Sequence, residues 1–294
     1  MVRIKVPATS ANVGVGFDTL GLAVTFYGYC DVTLSDTLTI TGCPKEFQTE
    51  ENLIFQSYKH VLDDLHREVI PINLVIDSEV PFARGLGSSA VCIVSGVLAA
   101  NELHELNLSE SELVAYCTQI EGHPDNVVPA LLGGLSASYQ LDERIFYQHY
   151  PVDNSYRFVA FIPDLTLETS VARGVLPESY PLKTVVSNQA KLLCLLEALK
   201  TGNASHLNDF LADGIHQPYR KTLIDEYDIV ENIAKESGAK GFYISGSGST
   251  LMGIYQKTVD IEAINQSLSG LKHRWKALDL VVDYKGAEVC HRTI

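Results

Sequence analysis

Pro81-Phe82-Ala83-Arg84-Gly85-Leu86-Gly87-Ser88-Ser89-Ala90 is a glycine- and hydroxyl-rich turn between two segments of different periodicity. Upstream, Ile72 to Ile76 is rich in β-branched residues and reads as a strand, while Ala90 to His104 carries apolar residues at helical spacing without a proline. The turn therefore delivers a helix N-terminus. Gly85 and Gly87 admit positive φ and close backbone approach, so successive N–H groups can face an anion with the helix dipole behind them. Ser88 and Ser89 add hydroxyls suited to phosphate or a metal. No Gly-Lys-Ser/Thr follows as in a Walker A loop, and the dinucleotide pattern G-x-G-x-x-G is missing. On its residues alone the turn is either an anion cradle or a tight strand-to-helix connection.

The chain around it has the size and composition of a globular protein. Its 294 residues suffice for one large or two ordinary domains, and 46% apolar with 20% charged residues excludes a disordered chain. With 36 acidic against 22 basic residues the formal net charge is −14, which argues against nonspecific binding to nucleic acid or an anionic membrane. An anionic ligand must be caught by local donors. Six scattered cysteines show neither C-x-x-C pairs nor zinc spacing and read as reduced thiols, Cys92 and Cys194 as small core residues of apolar helices. The N-terminus alternates like a strand, and the longest apolar run, Ala90 to Ala100, is too short to span a bilayer, so a cytoplasmic enzyme is expected.

Strands are expected at Val2–Val6, Tyr27–Leu34 and Leu135–Leu141, with helices at Leu53–Arg67 and, from the capping box Ser109/Glu112, up to Glu121. A second unit starts near Pro151–Tyr156. It holds strands at Phe158–Ile162, Gly241–Ile244, Thr250–Tyr255 and Leu278–Val282, and helices at Asn188–Lys200, Asp225–Glu236 and Asp260–Leu268. That order predicts sheets covered by helices on one face, with no linker between the units.

Three further segments hold reactive side chains on irregular backbone. Pro7 to Ala23 places Asn12 and Asp18 among small residues and the glycines 14, 16 and 21; Glu121-Gly122-His123-Pro124-Asp125-Asn126 follows a helix end; Gly246-Ser247-Gly248-Ser249-Thr250 forms a second backbone nest. Together with the turn, these segments resemble the motifs of the GHMP small-molecule kinases along nearly the whole chain. The first and third resemble the homoserine kinases among them.

That resemblance implies an α+β fold of two domains. Residues 1–152 would be a ribosomal S5 domain 2-like half carrying the phosphate loop, and residues 153–294 a ferredoxin-like sandwich. It implies transfer of a phosphoryl group from ATP to L-homoserine with Mg²⁺, on the way to threonine, by a homodimer that binds neither nucleic acid nor membrane. Pro81, Phe82, Ala83, Arg84, Gly85, Leu86, Gly87, Ser88, Ser89 and Ala90 would hold the nucleotide, and Ser89 with Glu121 the metal, whose hard oxygens suit it. Asn12, Asp18, His123, Thr169, Arg173, Arg220 and Gly246 would bind the amino acid, the arginines as forks for its carboxylate and Asp18 for its ammonium or hydroxyl. Asp18 and Asn126 are the expected catalytic pair, with an amide at 126 where related kinases place a carboxylate base. Phosphoryl transfer needs alignment and charge neutralisation more than covalent help, so the hydroxyl proton would leave late, toward the γ-phosphate or through Asp18. Relatives often carry proline where this chain has Ser249. His60, His104, His149, His206 and His216 read as surface or helix residues, with His216 ambiguous because Arg220 is near. Two alternatives remain open: the same fold acting on another small alcohol such as mevalonate, and a nucleotide or amino-acid sensor without turnover.

Overall fold

The computed structural model describes residues 1–291. The described strands are β1 (Val2–Ala11), β2 (Leu20–Leu34), β3 (Thr39–Thr41), β4 (Ile72–Ser78), β5 (Leu135–Leu141), β6 (Arg144–Tyr150), β7 (Arg157–Ile162), β8 (Gly241–Ile244), β9 (Leu251–Tyr255), β10 (Lys276–Leu280) and β11 (Glu288–His291). The helices are α1 (Leu53–Asp64), α2 (Ser88–Leu103), α3 (Glu110–Glu121), α4 (Pro124–Leu132), α5 (Thr169–Gly174), α6 (Leu182–Thr201), α7 (Leu207–Leu211), α8 (Gln217–Arg220), α9 (Tyr227–Glu236) and α10 (Ile261–Leu268).

Two sheets result. The first runs β11-β1-β2-β4-β3 and is antiparallel except at β3–β4, with β5 paired to the start of β2 and β6 to β5. Helices α1, α2 and α4 press Ile54, Tyr58, Ile93, Val97 and Val127 into its core. The second sheet runs β10-β7-β9-β8, all antiparallel, and the order β7-α9-β8-β9-α10-β10 is that of a ferredoxin-like unit. Val230 and Ala234 of α9 and Ile264 and Leu268 of α10 cover it.

A register break joins the sheets. Between Pro7 and Ala8 the partner on β2 jumps from Tyr27 to Val24, leaving Thr25 and Phe26 outside the ladder. Thr25 N–H then donates to the Val281 carbonyl at 3.0 Å, and Val24 bridges Val282. The bulge thus converts a local irregularity of one sheet into an attachment for the other.

Several expectations need correction. A helix starts at Pro124, directly after Glu121 and Gly122, where only a loop was expected. Proline at the first helical position with Asp125 behind it is a start signal, because the missing N–H is an orphan there anyway. Strands β3, β6 and β11 and the short helices α5, α7 and α8 were not foreseen either; β6 is largely exposed and β11 is set by its pairing with β1. Cys194 is exposed rather than in the core, since α6 buries only a narrow face of Asn188, Leu195, Ala198 and Leu199. Cys92 is half-buried. His216, expected on a surface or helix face, is fully buried. Among the described residues no helix is long and apolar enough to cross a membrane.

Gly96 is where α2 meets α1: a Cβ there would lie 2.2 Å from the Ile54 carbonyl oxygen and 2.6 Å from Ser57 Cβ. Gly96→Ala gains up to about 1 kcal/mol of helix propensity and loses about 1–3 kcal/mol to overpacking. Its urea midpoint should fall while the slope of the transition stays constant.

Candidate active site

The turn from Pro81 to Ser89 is shaped from outside. Its carbonyls are taken in succession: Ala83 O by Leu167 N–H at 3.0 Å, Arg84 O by Thr250 N–H at 2.9 Å, Gly85 O by the Ser245 hydroxyl at 2.6 Å, and Leu86 O by Thr9 N–H at 3.1 Å. A trans peptide points N–H and C=O in opposite directions, so tying the carbonyls outward turns the amides toward the cleft. Among the described residues none of the N–H groups from Gly85 to Ser89 has a protein acceptor. Gly85 (φ 75°) and Gly87 (φ 66°) are left-handed, as the turn requires. A Cβ at Gly85 would stand 2.2 Å from the Ser245 carbonyl oxygen, so close approach of two backbones also demands glycine. Gly87 caps α2, whose N-terminus opens into the same space.

Beside the amides, the Ser89 hydroxyl donates to Glu121 Oε1 at 2.6 Å. Burial pushes the Glu121 carboxyl above its ordinary range, with the Ser89 hydrogen bond opposing it. Asn126 receives a hydrogen bond on Oδ1 from the Thr9 hydroxyl at 2.8 Å, which leaves its Nδ2 as a free donor. His123 Nδ1 and Asp125 Oδ1 are 2.5 Å apart, and this bond raises the imidazole above its usual value.

The loop between β1 and β2 supplies the opposite wall. Asn12 is buried; its Nδ2 donates to Gly246 O at 2.8 Å and its Oδ1 accepts from Asp18 N–H at 3.0 Å. Arg173, on α5, meets Asp18 fork to fork, with Nη1–Oδ2 at 2.8 Å and Nη2–Oδ1 at 3.0 Å. Arg220 is 2% exposed, donates to Gly246 O at 2.8 Å and to Ala172 O at 3.2 Å, and is pushed down to about 10 chiefly by burial. Its guanidinium lies 5.1 Å from the Phe17 ring centre.

One cleft of about 560 Å³ of open space is lined by Asn12, Asp18, Gly85, Gly87, Ser88, Ser89, Glu121, His123, Asn126, Thr169, Arg173, Arg220 and Gly246, with Ala83 at its edge. Groups from six sequence segments and from both sheets' units therefore converge. Five residues of the turn face elsewhere. Leu86 and Ala90 are core residues, Arg84 donates to the Pro163 and Asp164 carbonyls, Phe82 turns outward, and Pro81 does not line the cleft.

Phe82 leads to a feature the sequence did not announce. A mainly apolar cavity of about 980 Å³ adjoins the cleft through Ala83, Ser88 and Ser89 and is walled by Phe47, Leu53, Ile54, Ile76, Val80, Phe82, Val91 and Cys92. Its walls come from helices and loops whose apolar residues are indistinguishable in sequence from core. An exposed Phe82 inside a polar turn, 5.6 Å from the Phe47 ring, was the available signal. Thr9 and Phe17 lie in the Pro7–Ala23 segment expected at the site, though neither was singled out, and His216 was left ambiguous beside Arg220.

The two sheets and the cleft between them are those of the GHMP kinases: residues 52–134 match the GHMP kinases N terminal domain and residues 195–270 the GHMP kinases C terminal domain. Over its full length the chain is 36% identical to a homoserine kinase of Clostridium botulinum, 100% of each chain being covered. It is 38% identical to one of Caldicellulosiruptor saccharolyticus, over 98% of this chain and 96% of that one. A crystal structure of homoserine kinase from Cytophaga hutchinsonii superposes with a TM-score of 0.86 at 27% identity, covering 98% and 97%. The chain belongs to the homoserine kinase family.

The His123–Asp125 bond has a measurable signature. A raised imidazole value means that its contribution to stability is fully present below the unfolded value near 6.5 and fades as pH rises through the folded one. An NMR titration should find His123 above the ordinary range and Asp125→Asn should return it; an unshifted His123 in the parent chain refutes the pairing.

Proposed function

We propose that the chain transfers the γ-phosphoryl group of ATP to the side-chain hydroxyl of L-homoserine, giving ADP and O-phospho-L-homoserine. The observation that carries this reading is the convergence of the turn's unpaired amides and the Asp18–Arg173 fork in one cleft. Amides of Gly85 to Ser89 bind the phosphates, helped by the N-terminus of α2. The adenosine occupies the apolar cavity behind Phe82, whose size and walls suit an aromatic base.

Homoserine enters by exchange of ion pairs. Its ammonium takes Arg173's place at Asp18, and its carboxylate takes up Arg173 and the remaining donors of Arg220, with Asn12, His123, Thr169 and Gly246 around it. A ligand with one of the two charges leaves either Asp18 or Arg173 without a counter-ion, so the pair selects a zwitterion over mevalonate. Asn126 cannot accept a proton; with Oδ1 held by Thr9, its Nδ2 is a donor for the reacting oxygens. Asp125 is buried and engaged with His123. No strong base acts, and the proton leaves late, toward the γ-phosphate or Asp18.

The Ser89–Glu121 pair fits Mg²⁺. Glu121 is a buried acid whose one hydrogen-bond partner is a hydroxyl, and a cation relieves that burial. Among the described residues no three His, Cys, Asp or Glu side chains cluster, which suits an ion that takes one or two protein oxygens and completes its shell with phosphates and water. When bound, the ion neutralises charge on the phosphates. The division into units 1–152 and 153–294, a homodimer, and a cytoplasmic location complete the proposal, on the strength of family membership.

A coupled ADP-release assay tests the substrate. Homoserine should be turned over, and 4-hydroxybutyrate, which lacks the ammonium, should be worse in kcat/KM by on the order of 10²–10³-fold, with 3-amino-1-propanol, which lacks the carboxylate, similarly reduced. Arg173→Ala and Arg220→Ala should raise KM for homoserine roughly 10- to 100-fold and leave that for ATP unchanged. Equal rates with mevalonate, or tight binding of ATP and homoserine without phosphohomoserine, overturn the reading.

Glu121→Ala should raise the Mg²⁺ concentration needed for half-maximal rate by at least about tenfold. An unchanged metal titration removes Glu121 from the metal site.

A further inference from the structure

The loop that carries Asp18 is strained. Asn12 (φ 69°), Val13 (φ 38°) and Asp18 (φ 50°) all lie in the left-handed region, which costs a residue with a side chain and persists only where surroundings hold it. Its internal bonds, Gly16 N–H to Asn12 O at 2.9 Å and Leu20 N–H to Gly16 O at 2.8 Å, close a turn without fixing where that turn sits. The fixing comes from the second unit, through Gly246 on Asn12, Arg173 on Asp18 and His216 on the stretch between them.

His216 caps α8 and is fully buried. Its Nε2 is 2.8 Å from the Gly14 carbonyl oxygen, and a carbonyl only accepts, so Nε2 carries the hydrogen. Among the described residues Nδ1 is buried without a hydrogen-bond partner. The same ring stacks on Phe17, with centroids 5.2 Å apart and planes inclined by 26°. His216 therefore grips the loop at two points, Gly14 and Phe17, on either side of which lie Asn12 and Asp18. The residue itself is placed by Asp213, whose carboxylate accepts from the backbone N–H groups of Ile215, His216 and Gln217 at 3.0, 2.6 and 2.8 Å. Burial pushes its imidazole down to about 4, so the neutral form persists at neutral pH.

We infer that His216 is a positioning residue for the amino-acid subsite: through the Nε2–H bond to Gly14 and the stack on Phe17 it sets the loop conformation that presents Asp18 to the substrate. It does not touch the cleft, which makes it distinct from the residues that line it. The inference rests on the reading of Asp18 as the ammonium acceptor.

Glutamine places an amide nitrogen at the reach of Nε2, whereas asparagine falls short of it and leucine keeps bulk without a donor. The test compares His216→Leu, His216→Asn and His216→Gln in the full chain, by steady-state kinetics with homoserine and ATP varied separately and by thermal unfolding. Leucine and asparagine should raise KM for homoserine at least about tenfold, leave KM for ATP within about twofold, and glutamine should restore KM for homoserine to within about threefold of the parent. A merely structural role lowers the melting temperature of all three and raises both KM values together, and that outcome overturns the inference, as does glutamine behaving like asparagine. If the leucine variant does not fold, the contrast between glutamine and asparagine decides. A parent chain that makes no phosphohomoserine refutes the function instead; an active parent with indifferent variants refutes only the role of His216.

Discussion

Everything in the cleft depends on two stretches of backbone lying against each other without side chains between them. Arg84 and Gly85 meet Ser245 and Thr250 through two hydrogen bonds, and a Cβ at Gly85 would be 2.2 Å from the Ser245 oxygen. This contact takes the turn's carbonyls away from the cleft and so aims its amides into it. In the proposed function the phosphates would thereby meet peptide dipoles fixed before the ligand arrives, which is the condition under which such dipoles stabilise developing charge without reorganisation cost.

That mode of binding reconciles an acidic protein with an anionic cofactor. At −14 overall, long-range attraction cannot gather ATP, and the arginines that line the cleft are Arg173 and Arg220. Both arginines are committed, Arg173 to Asp18 and Arg220 to carbonyls beneath the loop. In the proposed function, phosphate charge would be left to amides, the helix terminus and a divalent ion, while the guanidinium groups would serve the amino acid. Separating the two duties would keep the triphosphate from competing for the carboxylate clamp, an ordering that a cleft lined by exposed lysines could not impose.

How much of this was readable beforehand follows from range. The turn and α2 were legible because glycine, hydroxyl and apolar periodicity act within a few residues, and the capping box at Ser109 and Glu112 formed with both of its bonds. So were Asn12 and Asp18, whose segment is distinctive, whereas Arg173 was pointed to by the family resemblance alone; all three share a cleft with Ser88. What the sequence concealed is what contact across units decides. Helix α4 was lost because Pro124 and Gly122 read as loop; Phe82 and Ala90 were grouped with the phosphate loop though one faces an apolar cavity and the other the core. His216 was left ambiguous by its nearness to Arg220 and nothing local named its partner, since Gly14 is 202 positions away and only folding brings the carbonyl to the ring.

Neither unit holds the amino-acid subsite by itself. Asn12 and Asp18 belong to the first, but their conformation is set by Gly246, Arg173, Arg220 and His216 of the second, through contacts that each span more than 150 residues. The second unit's Ser245 likewise fixes the phosphate turn of the first. The site is therefore a property of the interface. The bulge at Thr25 that attaches β10's extension to β2 ties the second sheet to the first, and a displacement of one unit against the other would shift Arg173 and Gly246 relative to Asp18 and Ser245 relative to the turn. An in-line transfer of the kind proposed requires donor phosphate and acceptor hydroxyl at a fixed distance, and with the amides on one unit and half of the ion pair on the other that distance depends on the interface staying in register.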